Sequence, residues 1–233
     1  MPLTKIIRAV AAAAALVVSA SVVAPSVATA QSGTPSTAIL ERAMQRYRTA
    51  RTVDVTFTQT VTNPLTQHSL SSRGELQRER PNLLSITFSA PASDRIVADG
   101  NALWVYLPSS APGQVMKLPT TGERGILLDP LGQILGTPLA EYTVTPATAE
   151  TIDGHDTHAF TLTPRSQHGL FTRATVWVDD GGVVRQLEAT EPSGLVRKIT
   201  VTQFRTNVSL PRSAFRFTPP AGVRVVQQPG AAS

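Results

Sequence analysis

R-P-N-L-L-S-I-T-F-S-A-P-A-S-D-R-I-V-A-D-G-N-A-L-W-V-Y, residues 80–106, sets the reading of the whole chain. Leu84, Ile86 and Phe88 alternate with Ser85, Thr87 and Ser89, so a strand here carries large apolar groups on one face and hydroxyls on the other. Asp99-Gly100 is a two-residue turn signal, because glycine takes positive φ without steric cost. Trp104 and Tyr106 then share one face of the next short strand. The stretch predicts a curved, apolar sheet surface with few groups able to do chemistry, which suits a container better than a catalyst.

Working toward the N-terminus, Val53, Val55, Phe57 and Val61 alternate with Asp54, Thr56, Thr58 and Thr60, a β-branched strand with one wet face. Asn63-Pro64 makes its turn and Ser69–Arg78 is a more polar partner. Before it, Thr37 to Ala50 reads as a helix capped by Thr37, with Ile39, Leu40, Ala43, Met44 and Tyr47 on one broad apolar face. Residues 1–30 read as a signal peptide. Lys5 and Arg8 precede the apolar run Ala9–Ala20, and Ala28-Thr29-Ala30 supplies small residues for cleavage after Ala30. The apolar run is short for a membrane span. That leaves residues 31–233 as a single domain, opening on a polar leader to Ser36.

Working toward the C-terminus, Val115–Leu118 is a short strand, after which the period-two pattern breaks over residues 119–138. Asp129 can cap a helix beginning at Pro130, where a missing N–H costs nothing. Ile126, Leu127, Leu128, Leu131, Ile134 and Leu135 make this insertion strongly apolar, and Gly122, Gly125, Gly132 and Gly136 make it pliable. Two readings fit, a fixed core helix or a movable lid, and the glycine content favours the lid. Strands resume at Glu141–Pro146 and Ala159–Pro164. A hairpin Leu170–Asp179/Val183–Thr190 turns at Asp180-Gly181-Gly182, and the pattern ends with Leu195–Phe204, Phe215–Phe217 and Val223–Val226. The total is about eleven strands, nearly all antiparallel, in a mostly β fold with a helical cover.

Composition and motifs then remove whole classes of function. The chain has no cysteine, which excludes disulfides, thiolate metal sites, a cysteine nucleophile and an acylated N-terminal cysteine. The formal charge of +5 falls by two when Lys5 and Arg8 leave, and the remaining arginines are scattered. Nucleic-acid binding calls for a basic stripe with interleaved aromatics, and there is none. His155-Asp156-Thr157-His158 puts its histidines on opposite faces of a strand and lacks a third ligand at a recognisable spacing, so no metal is expected. There is no G-x-S-x-G elbow and no phosphate-cradling loop, and Asp179-Asp180 falls in a turn. No cofactor and no catalytic residue is expected. Arg80, fixed in extended geometry by Pro81 at the mouth of a strand, allows two readings. Its five donors can bind carbonyls at a helix end in the insertion, or it can pair on the surface with Glu75 or Glu79.

The motifs R-P-N-L-L (80–84), V-A-D-G-N-A-L-W-V-Y (97–106), F-T-Q (57–59), L-T-P (162–164) and F-R-F-T-P-P-A-G-V (215–223) resemble, in order and over nearly the whole mature chain, the LolA family of periplasmic lipoprotein carriers. The resemblance implies an incomplete antiparallel β-barrel whose apolar cavity lies under a helical lid. In that family the arginine before the R-P-N-L proline fastens the lid, which makes Arg80 the latch. The implied acyl-chain cavity includes Val55, Phe57, Leu84, Ile86, Phe88, Trp104 and Tyr106, with aliphatic Leu84 and Ile86 where relatives often carry aromatics. Further implied are a monomer in the periplasm and triacylated lipoproteins as cargo. An inner-membrane ABC transporter complex would release the cargo and, where the organism has one, an outer-membrane acceptor lipoprotein would receive it. A carrier or sensor of another amphiphile, phospholipid or glycolipid, is the alternative.

Overall fold

The computed structural model describes residues 36–90, 92–119, 129–166 and 170–227. The expected signal peptide, the leader before Ser36 and Ile126, Leu127 and Leu128 of the insertion lie outside these residues. Among the described residues, no helix is long and apolar enough to cross a membrane.

Helix α1 (Thr37–Thr49) starts one residue earlier than expected. Ser36 stays extended and its hydroxyl accepts from the Ala38 N–H at 3.3 Å, which makes it the cap and leaves Thr37 helical. Leu40, Ala43, Met44 and Tyr47 are buried, the face that their i, i+3, i+4, i+7 spacing requires. Arg46 and Arg48 occupy the last turn, where cations oppose the helix dipole favourably.

The strands are β1 (Thr52–Thr62), β2 (Ser69–Glu79), β3 (Leu83–Ala90), β4 (Ala92–Asp99), β5 (Ala102–Tyr106), β6 (Gln114–Pro119), β7 (Tyr142–Ala147), β8 (Thr151–Ile152), β9 (His155–Pro164), β10 (Arg173–Asp179), β11 (Val184–Thr190), β12 (Val196–Thr206) and β13 (Arg224–Gln227). A second helix, α2 (Gly132–Leu135), falls between β6 and β7. The strands form one thirteen-stranded sheet, in the order β13-β6-β5-β4-β3-β2-β1-β12-β11-β10-β9-β7 with β8 on β9. Every pairing is antiparallel except that of β13 with β6. Among the described residues the order does not return on itself, so the incomplete barrel is an open sheet with β13 and β7 at its edges.

Thirteen strands replace the expected eleven partly because Asp153-Gly154, at φ 48° and 77°, turns tightly enough for two-residue β8 to pair. Phe215–Phe217 is not a strand. Arg212–Phe215 forms a 3-10 turn packed on β3 and β4, with Phe215 buried. Register shifts between Thr56 and Phe57, Thr87 and Ser89, and Trp177 and Val178 mark bulges, and each adds local bend and twist.

Register decides which side chains share a face. Leu84 sits opposite Ala98, which sits opposite Leu103, and Ile86, Ile96 and Val105 make the parallel row. Across the other half, Phe160, Val176, Leu187 and Ile199 line up. These rows join Val53, Val55, Phe57 and Leu76 in one core with α1 and α2, which defines the inner face. Gly74 permits a close approach there. A Cβ on it would lie 2.6 Å from the Thr87 carbonyl oxygen and 3.1 Å from Phe57 Cζ. Without that Cβ, Phe57 and Phe88 meet edge to face across β2, with centroids 6.0 Å apart.

Candidate functional site

The inner face and its two helices make the candidate site. Val55, Phe57, Leu84, Ile86 and Phe88 all lie on this face, the first four buried and Phe88 half-buried against the same core. Trp104 and Tyr106 do not. The pairing that puts Leu103 and Val105 inward turns Trp104 and Tyr106 to the outer face. There both rings pack on Phe217, at 5.5 and 5.8 Å, and Lys117 sits 4.9 Å over the Trp104 ring. The indole N–H donates to Asp99 at 2.8 Å, so its polar edge is satisfied beside the turn rather than in an apolar pocket. The expectation that these two aromatics line the same surface as Leu84 is corrected accordingly.

Of the insertion, Leu131, Ile134 and Leu135 are buried against the inner face. The helix begins at Gly132 and not at Pro130, with Leu131 in its N-cap position and no side-chain bond there, so Asp129 caps the turn that leads into α2 instead of the helix itself. Its Oδ1 accepts from the N–H groups of Leu131 at 3.1 Å and Gly132 at 2.8 Å. Three further polar contacts fasten this segment. Tyr47 of α1 donates its hydroxyl to the Asp129 carboxylate. Arg48 reaches the Thr137 carbonyl at 3.3 Å, and Tyr142 donates to the Ile134 carbonyl at 3.3 Å while stacking on Phe171. Tyr47 and Asp129 are both buried. Burial pushes the Asp129 carboxyl above its ordinary range and the Tyr47 phenol well above its own, so the phenol keeps the proton that it donates.

Above this contact sits Arg78, which alternation in β2 places on the inner face between Val53 and Leu84. Its guanidinium lies 4.1 Å over the Tyr47 ring and donates to the Tyr47 carbonyl at 2.8 Å. Its positive charge opposes the upward push on both Asp129 and Tyr47.

Arg80, two residues on, has left the strand. It is exposed in the β2–β3 turn, with its backbone N–H on the Arg51 carbonyl at 2.9 Å. Its charge reaches Tyr47 only through space, lowering the phenol's raised pKa. Of the two carboxylates considered for a surface pairing with Arg80, Glu79 meets Arg51 at 3.4 Å and Glu75 accepts from Gln77 at 2.9 Å. Sequence reading passed over Arg78 because a single arginine in a polar strand looks solvated. Tyr47 carried a usable signal, a phenol on the buried face of a helix that needs a partner.

His158 meets Asp180 at 2.8 Å on the surface, and His155 is exposed. Among the described residues no three histidines, aspartates or glutamates gather to hold a metal.

Comparison with known proteins adds sequence and fold. The family model described as "Outer membrane lipoprotein carrier protein LolA" matches residues 48–218. An outer-membrane lipoprotein carrier protein of Serratia proteamaculans is 30% identical over 202 residues, covering 84% of this chain and 94% of that protein. One from Halorhodospira halophila is 29% identical over 181 residues, covering 78% and 82%. Among solved structures, an uncharacterized conserved protein from Thermus thermophilus shares the fold at a TM-score of 0.50 and 12% identity, over 82% of this chain and 98% of that one.

Proposed function

Since this chain belongs to the LolA family of outer membrane lipoprotein carriers, we propose that it carries lipoproteins between the two membranes of the cell envelope, holding their acyl chains against the inner face of the sheet. The observation that carries this reading is the continuous apolar face under two helices, one of them four residues long and followed by Gly136 and Pro138. In this reading the protein binds and releases, and catalyses nothing. Export would remove residues 1–30, and the mature protein would work in the periplasm as a monomer. It would take triacylated cargo from an inner-membrane ABC transporter complex and pass it to an outer-membrane acceptor.

Magnitudes support a lid that cargo can displace. Burying Leu131, Ile134 and Leu135 contributes about 1.5–3 kcal/mol each. An acyl chain gains about 0.8 kcal/mol per buried CH₂. Roughly ten buried CH₂ groups therefore match the apolar hold on α2, and three chains exceed it. Val55, Phe57, Leu84, Ile86 and Phe88 would contact the chains, and residues 119–138 would form the lid. Arg80 stands at the β2–β3 turn, close enough for its charge to act on Tyr47. From there it would help hold the lid in states that cargo exchange passes through.

Native mass spectrometry of the protein exported in a host that makes lipoproteins tests this reading. A one-to-one adduct with a triacylated lipoprotein is expected, and Arg80→Leu should retain cargo longer. Adducts with phospholipid alone, or a bare protein under conditions that load a family carrier, would refute it.

A further inference from the structure

The contacts between α1, α2 and β2 meet at one buried point. Asp129 accepts from two backbone N–H groups of the turn that leads into α2, and from the Tyr47 hydroxyl of α1. Two of these bonds are internal to the insertion. Only the third crosses to another element. If α2 leaves the sheet, Asp129 keeps its two backbone bonds but loses Tyr47, the weaker contacts of Arg48 with Thr137 and of Tyr142 with Ile134 go with it, and a detached four-residue helix is too short to hold its own N–H bonds. The phenol cannot drift, because Arg78 covers the ring at 4.1 Å and holds the Tyr47 carbonyl at 2.8 Å. Among the described residues the Arg78 Nε has no hydrogen-bond partner, so this guanidinium is aimed by the ring and the carbonyl rather than by a carboxylate of its own. Gly132 belongs to the same arrangement. A Cβ there would press into the Asp129 carboxylate and come within 3.1 Å of the Tyr47 hydroxyl.

We infer that Tyr47 and Asp129 are the lock that keeps the lid closed, with Arg78 the residue that positions the phenol. The inference rests on the carrier reading for its purpose but not for its test. Hydrogen bonds to charged groups are the strong ones, and in a dry site their direction is specific. Burial of Leu131, Ile134 and Leu135 holds α2 without fixing its place, since apolar attraction is non-directional. The lock sets the register in which the lid closes and supplies a bond that breaks in one step.

Two variants attack the lock from opposite sides. Tyr47→Phe removes one oxygen from α1. Gly132→Ala removes nothing, drives a methyl group into the bond from the lid side, and makes α2 a better helix. Amide hydrogen exchange on the exported protein reads Leu135 and Gly136, whose N–H groups bond back to Leu131 and Gly132 at 2.8 and 2.9 Å, against β1 and β12 as internal controls. Both variants should speed exchange at these lid amides by about ten- to a hundredfold, the factor that one charge-assisted bond represents, with β1 and β12 unchanged. Uptake of a fluorescent triacylated lipopeptide should quicken in parallel.

Lid amides that exchange as in wild type would overturn the inference. So would equal acceleration in β1 and β12, which would make the contact ordinary core. If Tyr47→Phe fails to fold, Gly132→Ala decides alone. Failure of wild type and variants alike to take up the lipopeptide, with lid amides accelerated, would leave the lock standing and remove the carrier reading instead.

Discussion

Leu135→Ala is the substitution that most sharply separates a lid from a fixed core. Leu135 is fully buried where α2 meets the sheet. A buried Leu→Ala change costs about 2–5 kcal/mol, and the low end applies where neighbours can collapse into the space, as they can around a four-residue helix. Taking about 2–3 kcal/mol, the whole loss falls on the closed state if the lid swings out when acyl chains enter, because Leu135 is then no longer buried. At 1.4 kcal/mol per factor of ten, the open form gains roughly 30- to 150-fold. Affinity for a triacylated lipopeptide rises by the same factor, and the gain appears as slower release. Titration with a fluorescent lipopeptide, followed by stopped-flow competition with unlabelled peptide, measures both. Unchanged or weaker affinity alongside a lowered melting temperature would refute the reasoning, because α2 would then stay on the sheet whether or not cargo is bound.

Gly74→Ala should lower stability by about 1–3 kcal/mol through overpacking against the Thr87 carbonyl and Phe57, or about 2–4 °C in Tm for each kcal/mol. A melting curve matching wild type would contradict the close approach. Trp104→Ala should cost about 1–3 kcal/mol by removing the Asp99 bond and the Phe217 contact, yet leave lipopeptide affinity unchanged, since the ring lies on the outer face. Weakened binding at full occupancy of the folded state would return Trp104 to the cavity. Two carboxylates should pull stability in opposite directions with pH, as urea unfolding can follow. Hydrogen bonds from Val183 and Arg185 hold Asp179 below its ordinary range despite burial. Its contribution is present above the ordinary carboxylate pKa and lost as pH falls through the lowered one, and Asp179→Asn should flatten that acid limb. Burial raises Asp129, so its contribution is present at low pH and lost as pH rises through the raised pKa. Asp129→Asn should abolish that loss, and an unaltered profile would show that the carboxyl is not burdened by burial.

Most of the sheet was legible because period two reports faces directly. Leu84, Ile86 and Phe88 need only their own strand to be placed together. Parity between strands is another matter. Whether Trp104 falls with Leu84 or opposite it depends on the register through β4, where one residue more or less in the Asp99-Gly100 turn swaps the faces. The aromatic pair therefore looked like lining when it is cladding. Asp129 announced a capped turn through local chemistry alone, though the helix itself waits until Gly132, whereas Arg78 and Tyr47 meet across 31 positions of sequence and no local pattern joins them. Whether the sheet closes also hides in the longest-range pairings, and here β13 and β7 do not meet.

Those unjoined edges set the mechanics of the vessel. A closed barrel has a girth fixed by strand number and shear, and nothing larger enters without tearing its ladder. A sheet with two free margins behaves as a leaf spring instead. It can uncurl as its contents swell and curl as they leave, keeping every strand-to-strand bond, and only packing and twist resist. The expected consequence is an elastic capacity, in which cargo bulk strains the wall gradually instead of meeting a yes-or-no fit.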